Sequence, residues 1–335
     1  MSSLEAALGS ALDSRAAFFA RASSEATDAC RLFHWIAEGR EGLTIDRYGD
    51  LVLVQTFREP LDARELEVVE AVLRARLDVD FHLVWNHRAK AAQQSFETFH
   101  RPSDAALRET SCRELGVRYA IRARHRGQDP WLFLDMRAGR RRLIEIARGK
   151  SVLNLFAYTG AASVCALVAG AREAWSVDFA RSSLDVAAKH LALNAIDPER
   201  MRTIVEDCFP VLRQLAGLPI KGRGSRRPYV KLAPRRFDVV FLDPPALAKS
   251  AFGAVDVERD YPSLFKPALL ALDPGGVVIA TNHVARVTPD AFRGVLERCA
   301  AKAGRPLASI EMIAPDDDFP AFDGVKPLKI AVCRT

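Results

Sequence analysis

From Ser151 onward the chain alternates between short, almost wholly apolar runs and longer stretches with helical spacing. The apolar runs are Val152–Leu155, Ala174–Val177, Phe237–Leu242 and Val277–Ala280, the last preceded by Gly275-Gly276, with Met201–Cys208 repeating the pattern as a short strand that ends in Glu206-Asp207-Cys208 and a final run at Leu328–Cys333. Short continuous apolar runs between helical segments are strands buried on both faces, and their alternation with helices predicts an α/β fold with a parallel, doubly wound sheet. The first part of the chain reads differently. Met1 to about Ala22 is Ala-rich and helical; Cys30–His34, Leu43–Arg47 and Leu51–Phe57 are strands, the last two joined by a Tyr48-Gly49-Asp50 turn as a hairpin. Leu61–Leu77 has helical spacing, His82–Trp85 reads as a further strand, and the polar residues from Lys90 to Glu109 as a connector. A second hairpin is expected from Val117–Arg124 and Trp131–Leu134, turned at Gly127-Gln128-Asp129-Pro130. The division predicted is a smaller α+β domain over 1–107 and an α/β domain over 108–335.

Composition bounds this picture. A chain of 335 residues with 49% hydrophobic positions is long enough for roughly two cored domains on a prior of ~150 residues each. No stretch approaches the ~20 apolar residues of a membrane span, and Glu5, Asp13 and Arg15 interrupt any leader-like core, so a cytoplasmic protein without a membrane partner is expected. The six cysteines show no C-x-x-C spacing, which predicts free thiols and no metal. Trp35, Trp85 and Trp175 read as core.

The net charge of +6 is unevenly placed. Lys221, Arg223, Arg226, Arg227, Lys231, Arg235 and Arg236 occupy one acid-free segment interleaved with Gly and Pro, which predicts an exposed loop ahead of the fourth strand. Such runs are often only solvated, but clustered Lys and Arg also release counterions on meeting a polyanion. Arg223, Arg226, Arg227 and Lys231 are therefore the candidate nucleic-acid-binding residues. A second cluster, Arg137 and Arg140–Arg142, precedes the first parallel strand. Two basic segments flanking one candidate site favour a nucleic-acid substrate.

That site begins at Asn154-Leu155-Phe156-Ala157-Tyr158-Thr159-Gly160, a strand running into a loop and then a helix, with one glycine where a dinucleotide site would carry three. Phe156 and Tyr158 fill the space that a pyrophosphate would need, so a ligand without phosphates fits, and S-adenosylmethionine (AdoMet) is such a ligand. Asp178 closes the second strand, where a carboxylate can accept both ribose hydroxyls, with Phe179 next to it. Asp207 and Cys208 close the third, near the expected adenine edge, and Asp243-Pro244-Pro245 closes the fourth. Each acid alone is as well explained as a helix cap, but strand ends in this order are where open α/β sheets bind ligands.

The runs Thr27–Phe57 with its Asp46-Arg47-Tyr48-Gly49-Asp50 hairpin, Phe133-Leu134-Asp135-Met136-Arg137, Asn154–Gly160, Leu242–Pro245 and the tail Pro315–Arg334 resemble the large-subunit ribosomal RNA methyltransferases of the RlmI and RlmK type. That resemblance covers about residues 27 to 335 and implies a class I, Rossmann-like methyltransferase sheet, AdoMet as cofactor and ribosomal RNA of the large subunit as partner. It implies Asp135 and Arg137 at the methionine end, Asp178 at the ribose, Asp207 and Cys208 at the adenine, and Asp243 beside the transferred methyl. The family's RNA-binding PUA domain has no room ahead of the hairpin, which leaves the basic insertion as a partial substitute and keeps a small-molecule substrate as an alternative.

Methylating cytosine C5 requires a thiolate to attack C6 first. The resemblance puts that cysteine just past the fifth strand or after the two prolines, where Thr281-Asn282-His283 and Ala246-Leu247 stand instead. Guanine N7 carries its own in-plane lone pair and needs orientation rather than a base. The expectation is direct transfer to guanine N7 with Asp243, Pro244 and Asn282 as the catalytic set. Asn282 would bond the base edge, and His283 would stack on it or bond to it. Cytosine C5 stands as the alternative and an exocyclic amine comes third, since Ala246 fills the slot of a stacking aromatic. Phe252 and Tyr261 read as a possible lid over the target base, and oligomeric state stays open between monomer and homodimer.

Overall fold

The computed structural model describes residues 3–88, 107–123, 129–220, 228–250 and 253–335, with only the backbone of 247–250 and 253–256. The chain forms two compact units, Met1–Asp135 with Asp316–Val325, and Met136–Pro315 with Lys326–Thr335.

In the first unit a four-stranded sheet runs in the order β1 (Ala29–His34), β2 (Leu43–Tyr48), β3 (Leu51–Thr56), β4 (His82–His87), antiparallel except for the β3–β4 pair. The Tyr48–Asp50 turn forms as expected, and Gly49 is required there: its φ is +63°, and a Cβ would lie 2.7 Å from the Ser111 carbonyl oxygen. Helices α1 (Ser3–Ser14), α2 (Ala16–Ser24) and α3 (Ala63–Arg76) accompany the sheet. Leu8, Phe18, Val69 and Leu73 from these helices share one core with Leu32, Ile45, Val52 and Val54 from the strands. Helix α3 starts where Asp62 and Glu65 form a reciprocal capping box.

The second hairpin differs from the sequence expectation. Val117–Ile121 (β6) pairs backward with Thr110–Glu114 (β5), while Leu134–Met136 is a 3₁₀ turn. Leu115 and Gly116 both take positive φ, 55° and 76°, the requirement of a tight two-residue turn. This hairpin is bonded to the entry of β1, through Asp28 with Arg113 and Thr27 with Leu115. The first compact unit consequently extends past the boundary at 107 that the polar connector suggested. Residues 316–325 complete it: the Asp318 carboxylate accepts the Arg31 N–H (3.0 Å), and Phe319 lies 4.8 Å under the Arg31 guanidinium. Trp35 is half-buried rather than core, outside any strand, and stacks on Phe57 at 5.4 Å.

The second unit is the doubly wound one. Its sheet has seven strands in the order β14 (Ser309–Ile313), β15 (Lys329–Arg334), β13 (Leu272–Asn282), β10 (Phe237–Leu242), β7 (Ser151–Leu155), β8 (Glu173–Asp178), β9 (Met201–Val205), while β11 (Leu247–Ser250) and β12 (Gly253–Asp256) pair only with each other. The five from β13 to β9 are parallel; β15 and β14 add an antiparallel edge that the sequence reading had only as a terminal strand. The direction of winding reverses between β7 and β10, which opens a crevice at their carboxyl ends. Between strands lie α4 (Arg137–Ile146), α5 (Ala161–Val168), α6 (Arg181–Leu193), α7 (Cys208–Leu215), α8 (Pro262–Leu270) and α9 (Pro289–Lys302). One core runs through Leu153, Val177, Leu212, Val240, Phe265, Val278 and Phe292. Tyr261 belongs to that core, edge-on to Phe292 at 5.0 Å and 1% exposed, so it is no lid; Phe252 lies outside the described residues. Among the described residues no helix is long and apolar enough to cross a membrane.

Candidate functional site

The loop after β7 is held in a conformation that its side chains disfavour. Phe156, Tyr158 and Gly160 take φ of 58°, 49° and 74°, the left-handed region in which non-glycine residues are uncommon. Backbone strain of this kind persists only where the surroundings over-determine it, and here four N–H groups are tied down. Phe156 N–H donates to the Cys208 thiol (3.1 Å), Ala157 N–H to the Val177 carbonyl (2.9 Å), Tyr158 N–H to Asp178 Oδ2 (2.9 Å), and Gly160 N–H to the Ala157 carbonyl (2.7 Å). A phosphate-binding loop aims such N–H groups at its ligand. These are already bonded to protein acceptors, so the loop cannot act as a phosphate cradle. Gly160 is also where chain meets chain: a Cβ would sit 3.0 Å from that of Ala187.

Asn154 and Thr159 are buried supports. The Asn154 amide donates to Ser163 Oγ (3.1 Å), which bonds Ser176 Oγ (2.7 Å), a polar chain joining β7, α5 and β8; Thr159 is fully buried. Asp178 is different. Each carboxylate oxygen takes one backbone N–H, Oδ2 from Tyr158 and Oδ1 from Ala180 (2.9 Å), which fixes its plane and leaves lone pairs on both oxygens for a diol. Burial pushes its carboxyl above the ordinary value, against the pull of the backbone donors. Phe179, next in sequence, is 68% exposed, a free aromatic face at the strand end.

Asp207 caps α7, its Oδ1 accepting from Phe209 N–H (2.8 Å), and Phe209 meets Phe156 edge-on at 6.4 Å. Glu206 accepts from Asp207 N–H and, 2.9 Å away, from Val230 N–H, tying the segment before β10 to the end of β9. Cys208 is 3% exposed, and burial raises its thiol well above the ordinary range. Arg137 opens α4 fully buried, and Asp135 is the last residue of the first unit.

At the end of β10, Asp243 has an asymmetric environment. Oδ1 accepts both the Thr281 hydroxyl and His283 Nε2 (2.8 Å), whereas Oδ2 has no hydrogen-bond partner among the described residues. Burial alone would raise this carboxyl; His283, Thr281 and Arg140 together hold it below the ordinary value. The carboxylate is thus ionised and accepts only, which puts the bridging proton on Nε2 of His283. Pro244 beside it is buried. Asn282 is 2% exposed, and its Oδ1 accepts the Val284 N–H (2.9 Å), so its side chain shapes the turn rather than reaching outward to a base edge as expected. His283 is the residue that contacts Asp243, and its sequence signal is its place one residue beyond the fifth parallel strand.

Of the candidate RNA contacts, Lys231 is exposed and lies 3.8 Å over the Tyr229 ring, while Arg223, Arg226 and Arg227 lie outside the described residues. Arg235 is anchored: it pairs with Glu173 and stacks 4.5 Å from the Trp175 ring, which Arg202 also approaches at 4.3 Å.

The residues fit AdoMet. The second unit provides a phosphate-free loop, a diol-accepting carboxylate at the second strand, an exposed aromatic beside it and a closed glycine turn. The family model for S-adenosylmethionine-dependent methyltransferases matches residues 30–334. Ribosomal RNA large subunit methyltransferase K/L of Chromohalobacter salexigens is 34% identical over 75% of this chain, but the chain spans only 33% of that protein. Ribosomal RNA large subunit methyltransferase I of Aeromonas hydrophila is 27% identical over 85% of this chain and 68% of its own length. Among solved structures, the methyltransferase SMU.776 complexed with SAH superposes with a TM-score of 0.78 at 25% identity, over 99% of this chain and 81% of that one. A SAM-dependent methyltransferase from Agrobacterium tumefaciens shares the fold at a TM-score of 0.62 and 17% identity, over 92% and 90%. With the family model matched over nearly the whole chain and the fold shared with these structures, the chain belongs to the S-adenosylmethionine-dependent methyltransferase family.

Proposed function

We propose that this enzyme methylates large-subunit ribosomal RNA at guanine N7 by direct in-line transfer, without a covalent bond between enzyme and base. Asp178 would hold the ribose of AdoMet, Phe179, Asp207 and Cys208 its adenine side, and Arg137 and the Phe156–Gly160 loop the remainder. When bound, AdoMet supplies an electrophilic methyl on a sulfonium.

The observation that carries direct transfer is the state of the thiols. All six cysteines are buried and none is in a disulfide. Cys208 is raised well above its ordinary value by burial and is already bonded to Phe156 N–H, and Cys165 is fully buried with its thiol on the Ala162 carbonyl (3.1 Å). A nucleophilic cysteine needs a thiolate within reach of the base, so cytosine C5 is disfavoured. Asp243 gives the positive side of the argument. Methylating N7 leaves the imidazole ring of guanine cationic. An ionised carboxylate with one oxygen fixed and the other presented stabilises such a charge where it develops. No proton has to leave N7, so no base is required of the chain.

RNA as the substrate is supported by the names of the relatives, by the exposed Lys231 and by the basic run in which it stands. The first unit is then the part expected to read the RNA. The test is mass-spectrometric mapping of ribosomal RNA from a strain lacking the gene, with the missing mark restored by purified protein and labelled AdoMet. Loss and restoration of one 7-methylguanosine is the expected result. Loss of a 5-methylcytosine would overturn the direct mechanism, and an unchanged RNA would overturn the substrate.

A further inference from the structure

Lys329 is a buried cation that the proposed chemistry does not use. It is 2% exposed, stands opposite Asn282 in the β13–β15 register, and its ammonium donates to the carbonyls of Val284 and Pro327. No carboxylate pairs with it among the described residues. Val284 is therefore held at both of its backbone groups, its N–H by Asn282 Oδ1 and its carbonyl by Lys329 together with the Val287 N–H (3.0 Å), and His283 lies in the turn between Asn282 and Val284. Charged groups beside the turn include Asp243, bonded to His283, Arg140, which acts on Asp243 from α4, and Arg286, which follows the turn and pairs with Glu258. Surface lysines avoid such positions because an unpaired ammonium out of water is costly. A hydrophobe would fill the space more cheaply but would bond neither carbonyl.

We propose that Lys329 is a positioning residue of the methyl-transfer site: its ammonium fixes the Asn282–Val284 turn, the turn aims His283 at Oδ1 of Asp243, and Oδ2 is thereby held toward the methyl acceptor. The inference rests on the reading that Asp243 faces the acceptor. Burial also lowers the lysine to about 8, as expected of a cation kept for its geometry rather than for an ion pair.

The test combines K329M, which keeps the length and removes the donors, with H283A, H283Q and the K329M/H283A double variant. Substrate is ribosomal RNA from the deletion strain. K329M is expected to lower kcat about tenfold or more, the scale of a small misplacement at a reacting centre, with KM for RNA and calorimetric AdoMet affinity within about twofold of wild type. H283A loses a similar factor, H283Q recovers part of it by restoring a donor, and the double variant loses little beyond either alone because the two act in series. A wild-type kcat in K329M, a loss shared by AdoMet affinity, or additive losses in the double variant would each overturn the proposal. Imidazole ¹⁵N spectra, assigned by comparison with H283Q, separate this from the function: His283 is expected as a locked Nε2–H form in wild type and as an averaging ring in K329M. If wild type methylates no ribosomal RNA, the reading of substrate fails while the spectra still decide the clamp, an unchanged ring in K329M refuting it.

Discussion

Replacing Lys329 by methionine should make the protein more stable near neutral pH, and the advantage should disappear in alkali. The fold lowers this lysine from 10.5 to about 8, a difference worth roughly 3 kcal/mol between the two protonation states. The sign follows from linkage. Between those two values the unfolded chain holds the proton and the folded chain does not, so stability rises with pH across that window. The penalty of the buried ammonium is fully present below about 8 and is relieved as pH approaches 10.5. Methionine carries no such penalty, although it forfeits the bonds to Val284 and Pro327, each worth about 1 kcal/mol. At pH 7 K329M is therefore expected to be about 1 kcal/mol more stable than wild type. Between pH 7 and 10.5 wild type should gain roughly 3 kcal/mol on the variant. The measurement is urea unfolding of both proteins over that range, taken as a difference so that the buried Tyr48, Tyr261 and Cys208, which titrate in alkali in both, cancel. A difference that does not vary with pH would refute the buried-cation argument, and one that moves in the variant's favour would reverse its sign.

The other predictions concern the loop and the strand ends. Gly160→Ala should cost roughly 2 kcal/mol in denaturant unfolding, because the left-handed backbone and the 3.0 Å approach to Ala187 both penalise a Cβ there; an unchanged midpoint would mean that the turn relaxes freely. Asp178→Asn should weaken AdoMet binding by calorimetry about tenfold or more, since its amide nitrogen must face a backbone N–H of Tyr158 or Ala180 and one charged acceptor is lost; wild-type affinity would remove Asp178 from the ribose. None of the six thiols should react with a maleimide under native conditions, and Cys165→Ser should retain methyl transfer. A rapidly labelled cysteine whose removal abolishes transfer would reinstate a covalent route. Arg235→Ala should shift Trp175 fluorescence and cost roughly 1 kcal/mol of stability, with little change in RNA affinity, since Arg235 pairs with Glu173 and covers the indole.

How much the sequence disclosed depends on the range over which each feature is determined. Buried parallel strands declare themselves as apolar runs, and an acid that ends such a run lies at the sheet's carboxyl edge whatever else the chain does; Asp178, Asp207 and Asp243 were legible for that reason. The β5–β6 hairpin was misread because two turn signals competed. Leu115-Gly116 is a short turn disguised by an apolar first residue, while the stronger turn composition lies at Gly127–Pro130, part of it outside the described residues, and Val117–Ile121 pairs with Thr110–Glu114 instead. Arg235 stands in a basic run that reads as an exposed loop, yet its partners, Glu173 and Trp175, lie on a strand far away along the chain.

The same limit explains why the acid of the fourth strand was evident and its attachment was not. Asp243 is followed by two prolines, a local signature, but what fixes its carboxylate comes from Thr281 and His283 on a different strand. What fixes His283 comes in turn from Lys329, separated from it by a helix, an antiparallel strand and the segment that returns to the first unit. In a strand of otherwise apolar residues a lysine reads as an edge or a strand end, positions at which charge is ordinary. Only the pairing of β15 with β13 turns it into an interior cation opposite Asn282. A charge that tertiary structure has buried without a counter-charge is thus invisible to periodicity. Because it lowers stability, it marks a position where something other than stability sets the residue, and here that position is the turn that carries His283 to Asp243.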